Sequence, residues 1–207
     1  MPRDTRGAAD VLAALRAATA QSHETVERTL DLLDPGLDRQ RLTAVLGRLH
    51  GFWSAAEAGL DAWAHRRPAD AARLQWARRR RAHLFAADLT ALGAPSGDLA
   101  VPALPDVPVT DDALGRLYVL EGSTLGGTFI DRHLSGLAAL GEGVRVRAFA
   151  PYGLETGAMW HAYRQRTREH VTGGGDPRRV VGAARDTFAA LAEWCRPLAR
   201  DGDRLPA

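Results

Sequence analysis

Apolar residues recur every three or four positions over a long stretch of this chain, and this spacing constrains its fold most. Between positions 42 and 63 the pattern consists of Leu42, Val45, Leu46, Leu49, Phe52, Trp53, Ala56, Leu60 and Trp63. Because an α-helix completes a turn in 3.6 residues, these side chains lie on one face. A helix of this length has to bury that face against other helices, so the pattern predicts a helical core.

Helical patterns also occupy most of the remaining chain. We expect a helix around residues 15–27, one over 42–63 that is closed by Pro68, and one over about 74–92 that ends before Gly93. The segment that follows contains Pro95, Pro102, Pro105 and Pro108 and is predicted to be the longest loop.

Three further helices are predicted in the second half of the chain. Thr110-Asp111-Asp112 is typical of a helix start, because a hydroxyl cap and early carboxylates satisfy the first backbone N–H groups. Another helix is expected at about 154–171, and Asp176-Pro177 should begin the last one. The alternating residues 144–147 are too few to establish a strand without a partner. The predicted fold is therefore all-α.

Length and composition fit a single domain. A chain of 207 residues with 45% hydrophobic content can bury one full core, and we expect a domain over 1–207 with its core at about 11–198 and flexible ends at 1–10 and 199–207. We find neither a signal-peptide pattern nor 18 successive apolar residues, so a cytoplasmic protein without a membrane segment is expected. Cys195 is the only cysteine, which excludes an internal disulfide, and its apolar neighbours predict a core position.

The charge of the chain does not favour nucleic-acid binding. Its 27 basic residues are all arginine, yet the net charge is only +2. The densest basic run covers Arg78 to Arg81, and four successive helical residues point around the whole axis. We therefore predict that this run is mostly solvated surface.

His23 is a candidate metal ligand. Thr19, His23, Glu27 and Leu30 fall along one side of a helix, so Glu27 can reach the imidazole nitrogen that His23 does not present to a metal. A lone histidine on a helix is more often a packed or solvated side chain, so this hypothesis needs a second pocket wall.

Three glycines interrupt the helical pattern of residues 118–130, and they provide a candidate for that second wall. Gly122, Gly126 and Gly127 each cost about 1 kcal/mol relative to alanine in a helix. Lacking a Cβ atom, they allow close approach of a flat partner or a bend of the helix. The partner can be another helix or a planar cofactor, and the spacing alone more often means helix packing.

Together these two segments resemble the heme oxygenase family, specifically its bacterial biliverdin-forming branch. Tyr-Val-x-Glu-Gly-Ser-x-Leu-Gly at 118–126 is similar to the distal-helix pattern, and Leu-x-x-x-Thr-x-x-x-His-x-x-x-Glu at 15–27 is similar to the proximal pattern. Residues 163–166 and 184–188 resemble two later pocket helices, so the likeness extends over about 11–198.

The resemblance implies a single-domain, multi-helical fold with heme b between a proximal helix and a glycine-kinked distal helix. His23 would be the axial ligand of the heme iron, Glu27 would hydrogen-bond its other nitrogen, and Gly122, Gly126 and Gly127 would form the distal wall. Heme would be substrate and cofactor at once. It would react with O₂ to give biliverdin, CO and ferrous iron, with electrons from an external ferredoxin or flavin reductase.

The resemblance also implies further site residues. Arg16 and Arg164 would pair with heme propionates, with Arg132 or His133 as a further cation, although any single arginine in this chain is commonly just solvated surface. Ser123 stands where the animal enzymes carry an aspartate, so protons would travel through carbonyls, water and Ser123 or Thr124. Three aromatic residues are expected in the pocket or the core: Phe129, Tyr163 and Phe188.

Two classes of function remain in contention. One is the enzyme, which serves iron release or supplies the bilin chromophore of a photoreceptor. The other is a non-catalytic heme carrier or sensor on the same fold, and a helical enzyme or a partner-binding module without heme is a distant third. The glycine triplet favours the enzyme, because a carrier gains nothing from a distal wall that exposes O₂ to the porphyrin edge.

Overall fold

The computed structural model describes residues 5–95, 99–141 and 145–199, and helices dominate these ranges. The α-helices are α1 Thr5–Leu30, α2 Arg39–Arg66, α3 Pro68–Arg73, α4 Trp76–Arg79, α5 Ala82–Ala91, α6 Thr110–Gly122, α7 Gly127–Ser135, α8 Thr156–Thr172 and α9 Pro177–Cys195. No strand occurs in the described ranges, and Arg147–Phe149 forms a 3₁₀ turn. The predicted all-α fold is confirmed, and Val144 lies outside the described residues.

Helix α2 follows the predicted apolar pattern. Its nine pattern residues, Leu42 to Trp63, are all buried. The Asp38 carboxylate caps its start by accepting a hydrogen bond from the Arg41 backbone N–H at 2.7 Å. The helix ends at Arg66, and Pro68 occupies the first turn of α3, where a missing N–H costs nothing.

The single helix predicted over 74–92 is wrong, because the chain bends twice within it. Gln75 adopts a left-handed backbone conformation with φ 53° between α3 and α4. Arg80 is extended, with φ −68° and ψ 133°, between α4 and α5. The buried Glu57 carboxylate accepts hydrogen bonds from the backbone N–H groups of Arg81 and Ala82, which caps the start of α5.

Helix α6 lies at the centre of the packing. It packs most extensively against α9, and α1 packs against α8 and α9. A Cβ atom added to Gly115 of α6 would lie 2.4 Å from the Val180 carbonyl oxygen of α9, so this glycine is required by the close approach of the two helices. The buried side chains form one continuous hydrophobic cluster, as expected for a single domain.

The proline-rich connection between α5 and α6, residues 92–109, contains no helix among its described residues, as predicted. It is not the longest connection, because residues 136–155 between α7 and α8 are more numerous, although they include three 3₁₀ helices. Arginines hold the proline-rich connection in place. Arg66 donates to the Val107 carbonyl oxygen at 2.8 Å, and Arg116 donates to that of Pro105. Burial lowers the pKa of Arg116 to about 10. The loop is thereby held against α2 and α6.

Cys195 lies in the core, as its apolar neighbours predict. Its side chain is buried, and burial raises the pKa of the thiol to about 12. None of the helices in the described ranges combines the length and apolarity that a membrane crossing requires. The flexible termini predicted at 1–10 and 199–207 fall largely outside the described residues, although α1 begins at Thr5.

Candidate functional site

A cavity of about 690 Å³ lies where α1, α6, α8 and α9 meet. Its volume is typical of sites that bind small molecules and cofactors. It is lined by Leu12, Ala13, Arg16, Thr19, Ala20, His23, Tyr118, Gly122, Leu125, Trp160, Arg164, Arg168 and Phe188. The proximal and distal segments predicted from the sequence therefore face the same space.

His23 presents one free ring nitrogen on the α1 side of this cavity. Its Nδ1 lies 3.2 Å from the Glu27 carboxylate one helical turn later, as the spacing predicts. Its side chain is 50% exposed, and among the described residues no group hydrogen-bonds its Nε2. The Phe188 ring packs edge-on against the imidazole, with centroids 5.8 Å apart. His23 can therefore offer Nε2 to a ligand, while the Glu27 carboxylate lies beside its other ring nitrogen.

The glycine segment breaks the helix opposite His23, which confirms the predicted interruption. Helix α6 ends at Gly122, α7 begins at Gly127, and residues 123–126 form turns between them. A Cβ atom added to Gly122 or Gly126 would meet nothing within 4 Å, and Gly122 lines the cavity. A Cβ on Gly127 would lie 1.7 Å from the Phe149 carbonyl oxygen, so Gly127 serves packing instead.

Three arginines line the cavity, and none of them has a carboxylate partner among the described side chains. Arg16 projects from α1, and Arg164 and Arg168 lie one turn apart on α8. Among the described side chains, which begin at Val11, no ion pair or hydrogen bond engages any of the three guanidinium groups. Sequence reasoning missed Arg168, although its position four residues after Arg164 places it on the same helical face. Such unpaired guanidinium groups can bind an anionic ligand bidentately.

An aromatic cluster forms one wall of the cavity. Tyr118 and Trp160 line it, with ring centroids 5.9 Å apart, and Trp160 stacks on Tyr163 at 5.2 Å. Tyr163 itself is fully buried, its hydroxyl donates to the Leu114 carbonyl oxygen at 2.9 Å, and burial raises its pKa. The sequence predicted three aromatic residues in either the pocket or the core. Of these, Tyr163 belongs to the core and Phe188 reaches the cavity.

Several predicted site residues are not brought to the cavity. Phe129 is 74% exposed on α7, and Arg132 is also exposed. His133 Nε2 lies 3.1 Å from the Asp34 carbonyl oxygen, in the connection between α1 and α2. Ser123 lies in the break itself, where its hydroxyl donates to the Leu120 carbonyl oxygen at 2.7 Å.

The arginine run at 78–81 is not mostly solvated, so that prediction is wrong for two of its four members. Arg78 and Arg80 are exposed and pair with Glu155 and Asp61. Arg79 and Arg81 are each only 1% exposed. The extended backbone at Arg80 causes this alternation, because side chains two residues apart point the same way in extended chain.

Both buried arginines contact the glycine segment on the face that points away from the cavity. Arg81 donates to the Leu120 carbonyl oxygen at 2.5 Å, to the Ser123 hydroxyl at 2.7 Å and to the Ala148 carbonyl oxygen at 3.1 Å. Burial lowers the pKa of Arg81. Arg79 forms an ion pair with Glu121, the residue that precedes Gly122. No sequence signal separated these two arginines from their solvated neighbours.

Residues 9–197 match the family model described as heme oxygenase. This chain belongs to the heme oxygenase family. A heme oxygenase from Neisseria meningitidis, whose crystal structures have NO and CO bound, shares the fold with a TM-score of 0.70 and 22% sequence identity. The match covers 95% of this chain and 98% of the Neisseria chain. No curated protein matches.

The donor groups of the cavity fit the heme on which a heme oxygenase acts. A planar macrocycle requires apolar and aromatic walls, its iron requires an imidazole nitrogen, and its propionates require cations. The cavity provides Trp160 and Phe188, the Nε2 of His23, and arginines on α1 and α8 that have no partner among the described side chains.

Proposed function

We propose that this member of the heme oxygenase family cleaves heme b with O₂ and reducing equivalents to biliverdin, CO and ferrous iron. Family membership supports heme degradation in general. One observation carries the specific proposal: a single cavity joins a histidine next to a carboxylate, an open glycine face and three arginines without a partner among the described side chains.

On the proximal side, His23 would ligate the iron through Nε2. The Glu27 carboxylate lies 3.2 Å from Nδ1, and a hydrogen bond from Nδ1–H to this carboxylate would fix both the tautomer and the ring orientation. Because Glu27 is 69% exposed, water would compete for its oxygens and keep such a hydrogen bond weak. His23 would therefore act as a neutral imidazole and not as a strongly donating imidazolate.

Arg16, Arg164 and Arg168 would hold the propionates. Arg164 and Arg168 form a pair on α8, and Arg16 approaches from α1. Each guanidinium can bind a carboxylate through two hydrogen bonds, so three cations around two propionates define the orientation of the macrocycle.

On the distal side, Gly122 leaves a face without a side chain, which gives O₂ and water room next to the macrocycle. When bound, heme supplies the iron that activates O₂ and the meso carbon that is oxidised. The hydroxyl protons of Ser123 and Thr124 are directed to the carbonyl oxygens of Leu120 and Glu121. We therefore assign proton delivery to water held at the exposed break.

The proposed reaction requires partners. Electrons would come from an external ferredoxin or flavin reductase. The reaction would serve iron release, or its biliverdin would pass to a bilin-binding photoreceptor in the cytoplasm. These partners are inferred because the reaction consumes electrons and releases biliverdin and iron.

The experiment that tests the proposal adds hemin to the purified protein, then a reductant under air with catalase present. Catalase removes free peroxide, so only coupled turnover remains. We expect a Soret band on binding, followed by its loss and the growth of the broad red absorbance of biliverdin. Gly122→Leu, which fills the open distal face, should bind hemin and suppress turnover.

Other outcomes would contradict the proposal. A bound Soret spectrum that persists under air after reduction would identify a heme carrier or sensor. Absence of any Soret shift would exclude the cavity as a heme site and favour a partner-binding module.

A further inference from the structure

A buried ion pair lies directly behind the distal side of the cavity. Arg79 of α4 and Glu121 of α6 are each 1% exposed and contact each other through guanidinium and carboxylate. The second carboxylate oxygen of Glu121 accepts a hydrogen bond from the Tyr152 hydroxyl at 2.8 Å. Both oxygens of the carboxylate are therefore engaged, as a buried charge requires.

The same guanidinium also reaches α8. Arg79 donates to the Met159 carbonyl oxygen at 3.2 Å and, through Nε, to the Leu74 carbonyl oxygen at 2.6 Å. Met159 directly precedes Trp160, which lines the cavity, and Arg164 follows one turn later. Arg79 thus links the end of α6 to the helix that presents two of the unpaired arginines.

We infer that Arg79 and Glu121 are positioning residues that set the placement of the glycine break relative to the arginine-bearing face of α8. Resting on the proposed function, this inference concerns the orientation of the heme and the choice of the meso carbon that is opened. Gly122 follows Glu121 and would face the macrocycle, whereas Arg164 and Arg168 would hold its propionates. A shift between the two elements would rotate the macrocycle under the distal wall.

Directional contacts suit this role better than apolar packing does. An apolar pair of similar volume often preserves or increases stability, so a buried ion pair is weak evidence for a stabilising role. It does specify one arrangement, because a guanidinium satisfies its acceptors in only one geometry. Apolar side chains in its place allow small displacements of α6 against α8.

The test replaces the network by apolar residues of similar size in the full-length protein. The variant carries Arg79→Met, Glu121→Leu and Tyr152→Phe, so that neither a charge nor a hydroxyl is left unpaired. Its matched control carries Arg78→Met and Glu155→Leu, which removes the adjacent exposed ion pair. Tyr152→Phe alone serves as a second control.

Two measurements report the position of the macrocycle in the cavity. The paramagnetically shifted heme-methyl proton resonances of the ferric complex report the orientation of the macrocycle without turnover. Chromatography of the bilin isomers reports which meso carbon is opened. We expect a second set of methyl resonances and a change of about tenfold in the isomer ratio in the triple variant only.

Amide hydrogen exchange of the heme-free protein gives an independent readout. Protection of the N–H groups of Ser123 and Gly127, which close the turns at the break, should fall in the triple variant and remain in both controls. If the triple variant does not fold, Glu121→Gln, which keeps the shape but removes the charge, is measured in the same three ways.

A folded variant with the methyl resonances, isomer ratio and exchange protection of the wild type would overturn the inference. Failure of the proposed function has a different signature. In that case the wild-type protein itself yields no biliverdin, while the heme-methyl resonances and hydrogen exchange still decide the positioning role.

Discussion

The glycine segment around residues 122–127 has two faces, and each of them combines glycine with nearby arginines. The face towards the cavity leaves these residues open, whereas the opposite face packs them. On its cavity face, Gly122 meets open space, and the nearby Arg164 and Arg168 lack partners among the described residues. On its back face, Gly127 packs against the Phe149 backbone, and the Arg81 guanidinium is buried among acceptors. The back face thus uses its polar groups for the fold, whereas the cavity face leaves them available to a ligand.

The physical reason is the cost of burying charge. A buried guanidinium has to find hydrogen-bond acceptors within the protein, because an unpaired buried charge is strongly destabilising. A guanidinium at an open cavity remains hydrated and costs little until a carboxylate replaces the water. Substitutions on the two faces should therefore affect different measurements.

The largest expected effect on stability comes from substitution of Gly127, with Gly122 as its control. Gly127→Ala would place a methyl group 1.7 Å from the Phe149 carbonyl oxygen, so we expect a loss of about 3 kcal/mol or more in the free energy of unfolding. Gly122→Ala, its control, meets open space and should not lower stability. Urea unfolding of the heme-free variants measures both. Equal stability of the two would remove the distinction between the faces.

Removal of a buried arginine should have the next largest effect. Arg81→Met removes the Arg81 hydrogen bonds to the carbonyl oxygens of Leu120 and Ala148, and among the described residues only that of Leu120 keeps a second donor, the Ser123 hydroxyl. We expect a cost of about 2–3 kcal/mol in urea unfolding. Arg80→Met removes an exposed neighbour that pairs with Asp61 and should cost less than about 1 kcal/mol. If both substitutions lowered the free energy of unfolding equally, burial would not explain a difference between these two arginines.

The cavity arginines should affect binding and not stability. Arg164→Ala or Arg168→Ala should weaken hemin affinity about tenfold each, because each removes one charged hydrogen-bonding contact worth about 1.5 kcal/mol. The midpoint of urea unfolding of the heme-free protein should not change. Arg166→Ala, on the same helix but paired with Glu169, serves as the control. An unchanged hemin titration in both cavity variants would contradict the propionate assignment.

Substitution of Glu57 should have the smallest effect on stability, and this effect should depend on pH. Burial raises the pKa of Glu57 in the folded protein, so its ionisation costs stability as the pH rises from the unfolded-state pKa through the folded-state pKa. Glu57→Gln keeps an acceptor for the Arg81 and Ala82 N–H groups but cannot ionise. The stability of the variant relative to wild type should therefore be highest at neutral pH and decrease on acidification. A difference independent of pH would contradict this assignment.

Much of the fold could be predicted from the sequence because long amphipathic helices have a regular signal. The α2 pattern, the Asp176-Pro177 start of α9 and the proline-rich connection all appear in the structure. The breaks around Gln75 and Arg80 could not be predicted, because they follow from tertiary contacts. The two buried guanidinium groups have their acceptors at Leu74, on α6 and near Ala148, outside any local pattern.

The site was predictable where helical spacing determines it. The contact between His23 and Glu27 follows from a four-residue interval, and the same interval could have identified Arg168 from Arg164. Phe129 and His133 could not be placed, because the direction of α7 after the glycine break depends on its packing against residues 147–149. A motif indicates that the chain bends at such a break, but it does not indicate which part of the protein the next helix packs against.

The most direct test of the account is the resonance Raman spectrum of the ferrous heme complex. We predict an iron–histidine stretching band in the wild type and in His65→Ala, an exposed histidine on α2 away from the cavity. The band should be absent from His23→Ala. If it persists in His23→Ala, another residue ligates the iron, and the assignment of α1 as the proximal helix is wrong.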